Sequence, residues 1–301
     1  MAISVILRRE LISLLTNIRA RWAQIITDFR DYPLQPGKTW QGRYAVERFL
    51  GMGSYGQAYV CHDKVGGKRV LMKSNKPSKG NTGLLLLRRE YRIMQAVSHP
   101  QIPRALDYSK RGKQEALIME YIEGYNLEYA IYERNLTFSA TNGLQLLKQL
   151  IQPLKQLHNA GYVHRDVRIP NVILAGGLPH LIDHGLSCAV GEELPQELRD
   201  ALGEGSDLAG SAAAIKRRMR HPHPSSDWFG LGHLFLFVMY AGYEAVEGQV
   251  ERSWEEELAL PALVRDFLRK LLNDESAWPS TEACERELDE LIATLEREAW
   301  A

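Results

Sequence analysis

The sequence predicts an α+β chain in which a strand-rich part precedes a larger helical part. Three observations carry this. Arg43 to Lys73 reads as short strands broken by glycine turns, one between Phe49 and Val60 and another at Gly66-Gly67, which is hairpin patterning. Downstream, apolar residues recur three and four apart, over Leu84 to Val97 and again over Gly143 to His158. The most apolar run, Trp228 to Tyr243, is about 16 residues long and contains His233, too short and too polar to span a bilayer, so it reads as a buried core helix.

Length and composition bound the rest. The 301 residues suit one large or two medium domains. Lysine plus arginine equals aspartate plus glutamate at 37 each, so no global field points to nucleic acid or to a membrane. Cys61, Cys188 and Cys284 are far apart and lack metal-ligand spacing, and they read as reduced thiols of a cytoplasmic protein. Near the start, apolar Ile3 to Leu7 comes before Arg8-Arg9, the reverse of a secretory signal, and no transmembrane segment is expected.

In chain order, Leu7, Leu11, Leu14, Ile18, Trp22, Ile25 and Phe29 place one apolar stripe along a helix over residues 3–30. The stripe is expected to pack on the domain that follows or on a second copy of the chain, with attachment to a membrane surface through its arginines as the other reading. Pro33 and Pro36-Gly37 stop that helix, so 1–36 reads as helix and linker and a domain begins near Gly42. Gly51, Gly53 and Gly56 then form a loop whose backbone amides can approach phosphates, since no side chain stands in the way. A dinucleotide fold would put a helix directly after the third glycine, whereas Ala58-Tyr59-Val60-Cys61 continues as a strand. Leu117 to Ile122 is a further apolar strand, running into Gly124.

The chemistry concentrates on His164-Arg165-Asp166-Val167-Arg168-Ile169-Pro170-Asn171 and on Asp183-His184-Gly185. An acid, a cation and an amide share one short loop, with a second acid a dozen residues on. Phosphoryl transfer needs these groups: an acid to orient the incoming hydroxyl, a cation near the transferring phosphate, and an amide plus an acid for divalent metal. The H-R-D-x-x-x-x-N spacing, the glycine loop and the Asp-His-Gly, which stands where Asp-Phe-Gly is usual, together resemble the protein kinase family, in its minimal bacterial-looking form, over about residues 42–295.

The resemblance implies a bilobal protein kinase-like fold, with a small mostly antiparallel lobe at 42–122 and a helical lobe at 123–299. It implies ATP and Mg2+, with transfer to serine or threonine hydroxyls of a protein substrate not named by the sequence, its own chain included. It places Gly51, Gly53 and Gly56 over the phosphates, Lys73 against them, and Glu90 as the acid that aims Lys73. Ala58 and Leu71 fall on the adenine roof with small and large side chains exchanged, a change of roughly conserved volume that cores tolerate at under about 1.5 kcal/mol. Met119 is the gatekeeper, the Glu120 carbonyl and Ile122 amide meet the adenine edge, and Asn126 lies at the ribose. Asp166 orients the substrate hydroxyl, Arg168 stands for a lysine near the γ-phosphate, Asn171 and Asp183 bind magnesium, and Asp227 braces the loop backbone. His158 is expected to be a core or helix-end histidine.

The chain also departs from the family pattern. His184 would meet His164 where the family has one imidazole and one phenylalanine. From Asp183 to Ser226 there is no Ala-Pro-Glu and neither threonine nor tyrosine. The arginine that pairs with that glutamate is Trp278 here, which suggests concerted loss of a buried ion pair. The stretch between Tyr243 and Pro261 is short, so the surface that docks protein substrates is expected to be reduced. His221-Pro222-His223-Pro224 has the look of a metal site without the usual spacing. Two alternatives remain at this point: a nucleotide-binding scaffold or pseudokinase, and a small-molecule kinase of the aminoglycoside or choline type. The latter group usually lacks the full glycine loop and the arginine beside the catalytic acid.

The N-terminal stripe yields a direct expectation. Serine at positions 11, 18 and 25 should lower the melting temperature or the activity of the full chain. A chain starting near Gly42 with unchanged melting temperature, activity and mass in solution would show the stripe to be dispensable.

Overall fold

The computed structural model describes residues 31–202, 211–243, 252–273 and 275–298; the stripe of residues 3–30 lies outside them. Strands β1 (Thr39–Trp40), β2 (Tyr44–Met52), β3 (Gly56–Asp63) and β4 (Lys68–Asn75) come first, followed by helix α1 (Gly80–Ala96), β5 (Ala105–Arg111) and β6 (Gln114–Glu120). These six strands form one sheet in the order β1-β2-β3-β4-β6-β5, with β1 through β4 antiparallel neighbours. The chain then runs through β7 (Tyr125–Asn126), α2 (Leu127–Tyr132), α3 (Ala140–Asn159), β8 (Tyr162–Val163), β9 (Val172–Ala175), β10 (Leu178–Leu181) and β11 (Cys188–Ala189). It closes with α4 (Gln196–Leu202), α5 (Ser211–Met219), α6 (Pro224–Tyr240), α7 (Trp254–Glu257), α8 (Ala262–Asn273) and α9 (Thr281–Glu298). Two compact units result. One holds the described residues up to Leu87 with Asp107–Ile118, the other Arg88–Leu106 and the described residues from Met119 onward.

In the first unit, period-two alternation sends Tyr44, Val46, Tyr59, Cys61, Val70 and Met72 to one face of the sheet, where they pack with Trp40, Ala116 and Ile118. The polar tips of these large rings are satisfied. The Trp40 indole donates to Ser109 Oγ, the Tyr44 hydroxyl to Asp107 at 2.6 Å, and the Tyr59 hydroxyl to Gln57 at 2.8 Å. Arg43 grips Asp63 through two bonds of 2.8 Å, which hold that carboxyl far below its ordinary range. The core thus draws on residues ahead of the Gly42 start suggested by the sequence. Leu34 donates its amide to Tyr59 Oη at 3.2 Å, and buried Asp31 accepts the Ser78 amide at 2.9 Å and the Ser78 hydroxyl at 2.5 Å. The proline linker is therefore strapped along this unit.

The second unit is built on α6, apolar all round and buried from Ser225 to Gly232, as a helix with no polar face must be. Helix α3 starts at the Ser139 cap, which accepts the Asn142 amide at 3.2 Å, and turns its leucine stripe inward at Leu144, Leu147, Leu150, Leu154 and Leu157. Pro153 has no N–H for the carbonyl four residues back, at Gln149. Gln101 supplies that donor instead: its Nε2 donates to Gln149 O at 3.0 Å and to Pro179 O at 2.7 Å, while its own carbonyl takes the Leu181 amide. The turn after α1 is thereby fixed into the second unit, which is why the C-terminal half of α1 groups there. Among the described residues, no helix is long and apolar enough to cross a membrane.

Trp40 tests the first core. Trp40→Ala removes a fully buried indole and should cost about 3–5 kcal/mol, read as a lower urea midpoint. An unchanged midpoint would mean that the sheet does not depend on β1.

Candidate active site

Antiparallel register places Gly51 opposite Ala58 and Ala58 opposite Lys73, so these three form one row across β2, β3 and β4. Leu71, two residues before Lys73, shares that face, while Tyr59 and Met72 occupy the other in the core. The glycine loop closes with Gly53 N–H donating to Gly56 O at 2.9 Å. A Cβ at Gly56 would stand 3.0 Å from the Ser74 carbonyl, so the third glycine is required by the closeness of β4. At the loop tip, Tyr55 O accepts the Lys76 amide at 2.9 Å.

In the second unit, β8 leads into the loop and β11 pairs back on it, Val163 opposite Cys188. Asp227 of α6, fully buried, accepts the amides of His164 and Arg165 at 2.7 Å each. Burial alone would raise this carboxyl; the His158 hydrogen bond and the amides donated by the loop hold it below its usual range. His158 donates or accepts at 2.8 Å to Asp227 and at 2.6 Å to Thr281, so the helix-end histidine also orients the brace. Helix and loop lie so close that a Cβ on Gly230 would come within 2.9 Å of Val167 O. The brace also supports strain: Arg165 has φ of 66°, a left-handed value uncommon for a long side chain. Its side chain is anchored in turn, donating to Arg220 O at 2.6 Å and to Leu186 O at 3.2 Å.

Beyond Arg165 the loop presents its polar groups together. Asp166 takes Arg168 Nε on one oxygen at 3.1 Å and Asn171 Nδ2 on the other at 2.7 Å. Asn171 also donates to the Asp166 carbonyl at 2.9 Å, and its backbone carbonyl accepts the Ile182 amide at 3.0 Å. Ile182 O in turn accepts His164 Nε2 at 3.1 Å, so Asp183 follows directly from a residue pinned to the loop on both sides. Asp183 itself has φ of 63° and accepts the Gly185 amide at 3.2 Å.

His164 and His184 meet edge to face, ring centroids 4.9 Å apart, and His184 is only 1 % exposed. His184 is thus turned inward, onto the ring of His164. The Asp166 amide donates to His164 Nδ1 at 3.3 Å, and with Nε2 donating to Ile182 O this fixes the neutral tautomer.

Other residues named from the sequence lie as follows. Glu90 is buried on α1, at 2 % exposure. Asn126 uses both ends of its amide on backbone, capping α2 through the Glu128 amide at 2.8 Å and donating to Pro170 O, and so ties α2 to the loop. Met119 is buried at the end of β6, and the Glu120 amide is bonded to Arg104 O at 2.9 Å. Of the histidine pair, His223 caps α6, accepting the Ser225 amide on Nδ1 at 3.2 Å, and among the described residues no His, Cys, Asp or Glu cluster fits a metal ion. The segment also meets the C-terminal part of the chain through α5. Arg218 of α5 donates to Leu272 O, lies 3.5 Å from Glu275, and covers the Phe229 ring at 4.5 Å. Trp278 fills its place by packing on Trp228 and Phe267 at 5.6 and 5.5 Å.

This constellation can be set beside known proteins. The model of the protein kinase domain matches residues 44–298. The chain belongs to the protein kinase family. Among curated relatives, the kinase is 30% identical over 267 residues to the probable serine/threonine-protein kinase YbdM of Bacillus subtilis, covering 88% of this chain and 95% of that one. It is 29% identical over 222 residues to the serine/threonine-protein kinase PknA of Mycobacterium tuberculosis, which covers 71% of this chain and 48% of PknA. The chain thus spans nearly all of YbdM and about half of PknA. The kinase domain of Mycobacterium tuberculosis PknI has the same fold, at a TM-score of 0.62 and 19% identity, over 86% of this kinase and 99% of that domain.

Three contributors escaped the reading of the sequence: His158 as orienter of Asp227, the Arg218–Glu275 tie, and an ion pair between Arg89 and Glu192 with bonds of 2.8 and 2.9 Å. Each joins residues from 57 to 103 positions apart, so no local pattern marks them.

Proposed function

We propose that this kinase transfers the γ-phosphoryl group of ATP to serine or threonine hydroxyls of proteins, its own chain included. The observation that carries the reading is the arrangement at Asp166. One carboxylate oxygen faces the Arg168 guanidinium and the other the Asn171 amide, so the acid is held in orientation by two donors. In the step, the acceptor oxygen forms its bond to the γ-phosphorus as the bond to the β-phosphate oxygen breaks, and ADP departs. Asp166 orients the hydroxyl and receives its proton. Arg168 stabilises charge developing on the transferring group, as a planar fork where a lysine would be a point. Serine or threonine fits the position of Arg168 in the loop and agrees with the printed names of YbdM and PknA.

Asn171 and Asp183 offer an amide oxygen and a carboxylate, hard donors of the kind magnesium takes, with nucleotide phosphates and water as its other ligands. Bound there, the ion would neutralise charge on the β- and γ-phosphates. We assign the nucleotide phosphates to Lys73 and to the backbone of Gly51, Gly53 and Gly56, and the adenine to the face bearing Ala58 and Leu71, with Met119, the Glu120 carbonyl and the Ile122 amide. Glu90 is assigned to aiming the lysine. The three cysteines are buried and form no disulfide, which supports a cytoplasmic location. Self-association through the stripe of residues 3–30 is the partner reading.

Incubation with labelled ATP and magnesium, alone and with a generic protein acceptor, tests the function. Label should appear as phosphoserine or phosphothreonine and fall by about 10²–10⁴-fold in Asp166→Ala. Label persisting at the parent rate in that variant would refute the assignment of Asp166, and label confined to small-molecule acceptors would refute protein kinase activity.

A further inference from the structure

The segment after Asp183 is fastened to α1 by a contact that the phosphoryl-transfer residues do not include. Arg89 lies next to Glu90 on the helix and places two nitrogens on the two oxygens of Glu192, at 2.8 and 2.9 Å. The same carboxylate accepts the Ala189 amide at 2.9 Å, and Arg89 also reaches the Ser187 carbonyl at 3.4 Å. Arg89 is largely enclosed, its side chain 13 % exposed, and its partner is half-buried, so the fork is shielded from solvent competition. The neighbouring carbonyl, Leu186 O, is held by Arg165 of the loop. Two consecutive carbonyls are thus held by different elements, one by α1 and one by the loop that carries Asp166. Directly after them β11 pairs with β8, which ends immediately before His164.

We propose that Arg89 and Glu192 are positioning residues for phosphoryl transfer, an ionic latch that fixes the segment after Asp183 to α1 beside Glu90 and keeps the kinase in its working arrangement without a phosphate on that segment. The inference rests on the kinase reading above. Its second half follows from the hydroxyl inventory. The segment holds Ser187, Ser206, Ser211, Ser225 and Ser226 and neither threonine nor tyrosine. Ser187, Ser225 and Ser226 are all buried, so three of the five are closed to an incoming phosphoryl group. The negative charge that a phosphate would bring to a nearby arginine is already encoded as Glu192. The Arg89 hydrogen bond keeps that carboxyl below its ordinary range, so it is ionised at neutral pH.

The test uses the full chain and two readouts. Amide hydrogen exchange followed by peptide mass should show residues 186–195 and 88–96 exchanging at least about tenfold faster in Glu192→Gln than in the parent. In kinetics with labelled ATP and a generic protein acceptor, Glu192→Gln and Arg89→Gln should each lose about tenfold in kcat with the acceptor KM unchanged. Their combination should be no worse than either alone, and the exchanged pair Arg89→Glu with Glu192→Arg should recover part of the loss. Ser206→Ala with Ser211→Ala should keep the parent kcat. Parent-like exchange in Glu192→Gln would overturn the latch whether or not the parent is active, whereas a parent without activity would refute the kinase reading. Parent-like kcat in both single variants would overturn the positioning role, and loss of activity in the double serine variant would overturn independence from phosphate.

Discussion

Without the buried carboxylate of Asp227, the amides of His164 and Arg165 would be two buried donors with no acceptor, each costing about 1–3 kcal/mol. The left-handed Arg165 would then lack the support that makes its conformation tenable. Everything that faces a substrate in the second unit hangs from this point. Asp166 follows Arg165, Asn171 holds Asp166, and Ile182 is bonded to both Asn171 and His164 before the chain reaches Asp183. The carboxylate is itself secured on α6, the most buried helix, with His158 and Thr281 relaying the restraint to α3 and α9. The folded state holds this carboxyl below its ordinary range. The brace therefore contributes stability above the ordinary carboxyl range and loses it as pH falls through the depressed value.

Much of this was legible where the determinant is local. The strands and glycine turns between Arg43 and Lys73 were visible from local patterning, and pleating then sets Lys73, Ala58 and Leu71 on one face. The leucine stripe of α3 and the all-apolar α6 were likewise visible from spacing alone. The protein kinase family followed from short motifs, since the groups that handle a phosphate and a proton must sit on the same turn.

What could not be read is what depends on distant partners. The cap and the bond to Pro170 O that Asn126 makes are set by how β7 lies against the loop, which no local spacing announces. Pro153 within α3 breaks a local rule, and only the folded chain shows that Gln101 repairs it from about fifty residues away. The burial of Trp40 and Asp31 was also invisible, because they have no periodic neighbours to reveal it.

The contact between Arg218 and the loop before α9 bears on how parts of such proteins can be exchanged. The Arg218 guanidinium donates to the Leu272 carbonyl and faces Glu275, which is largely exposed. A segment without an arginine at this point would leave the carbonyl without that donor, while Glu275 would turn to water at little cost. The segment and the C-terminal loop are therefore coupled through a backbone carbonyl more than through charge.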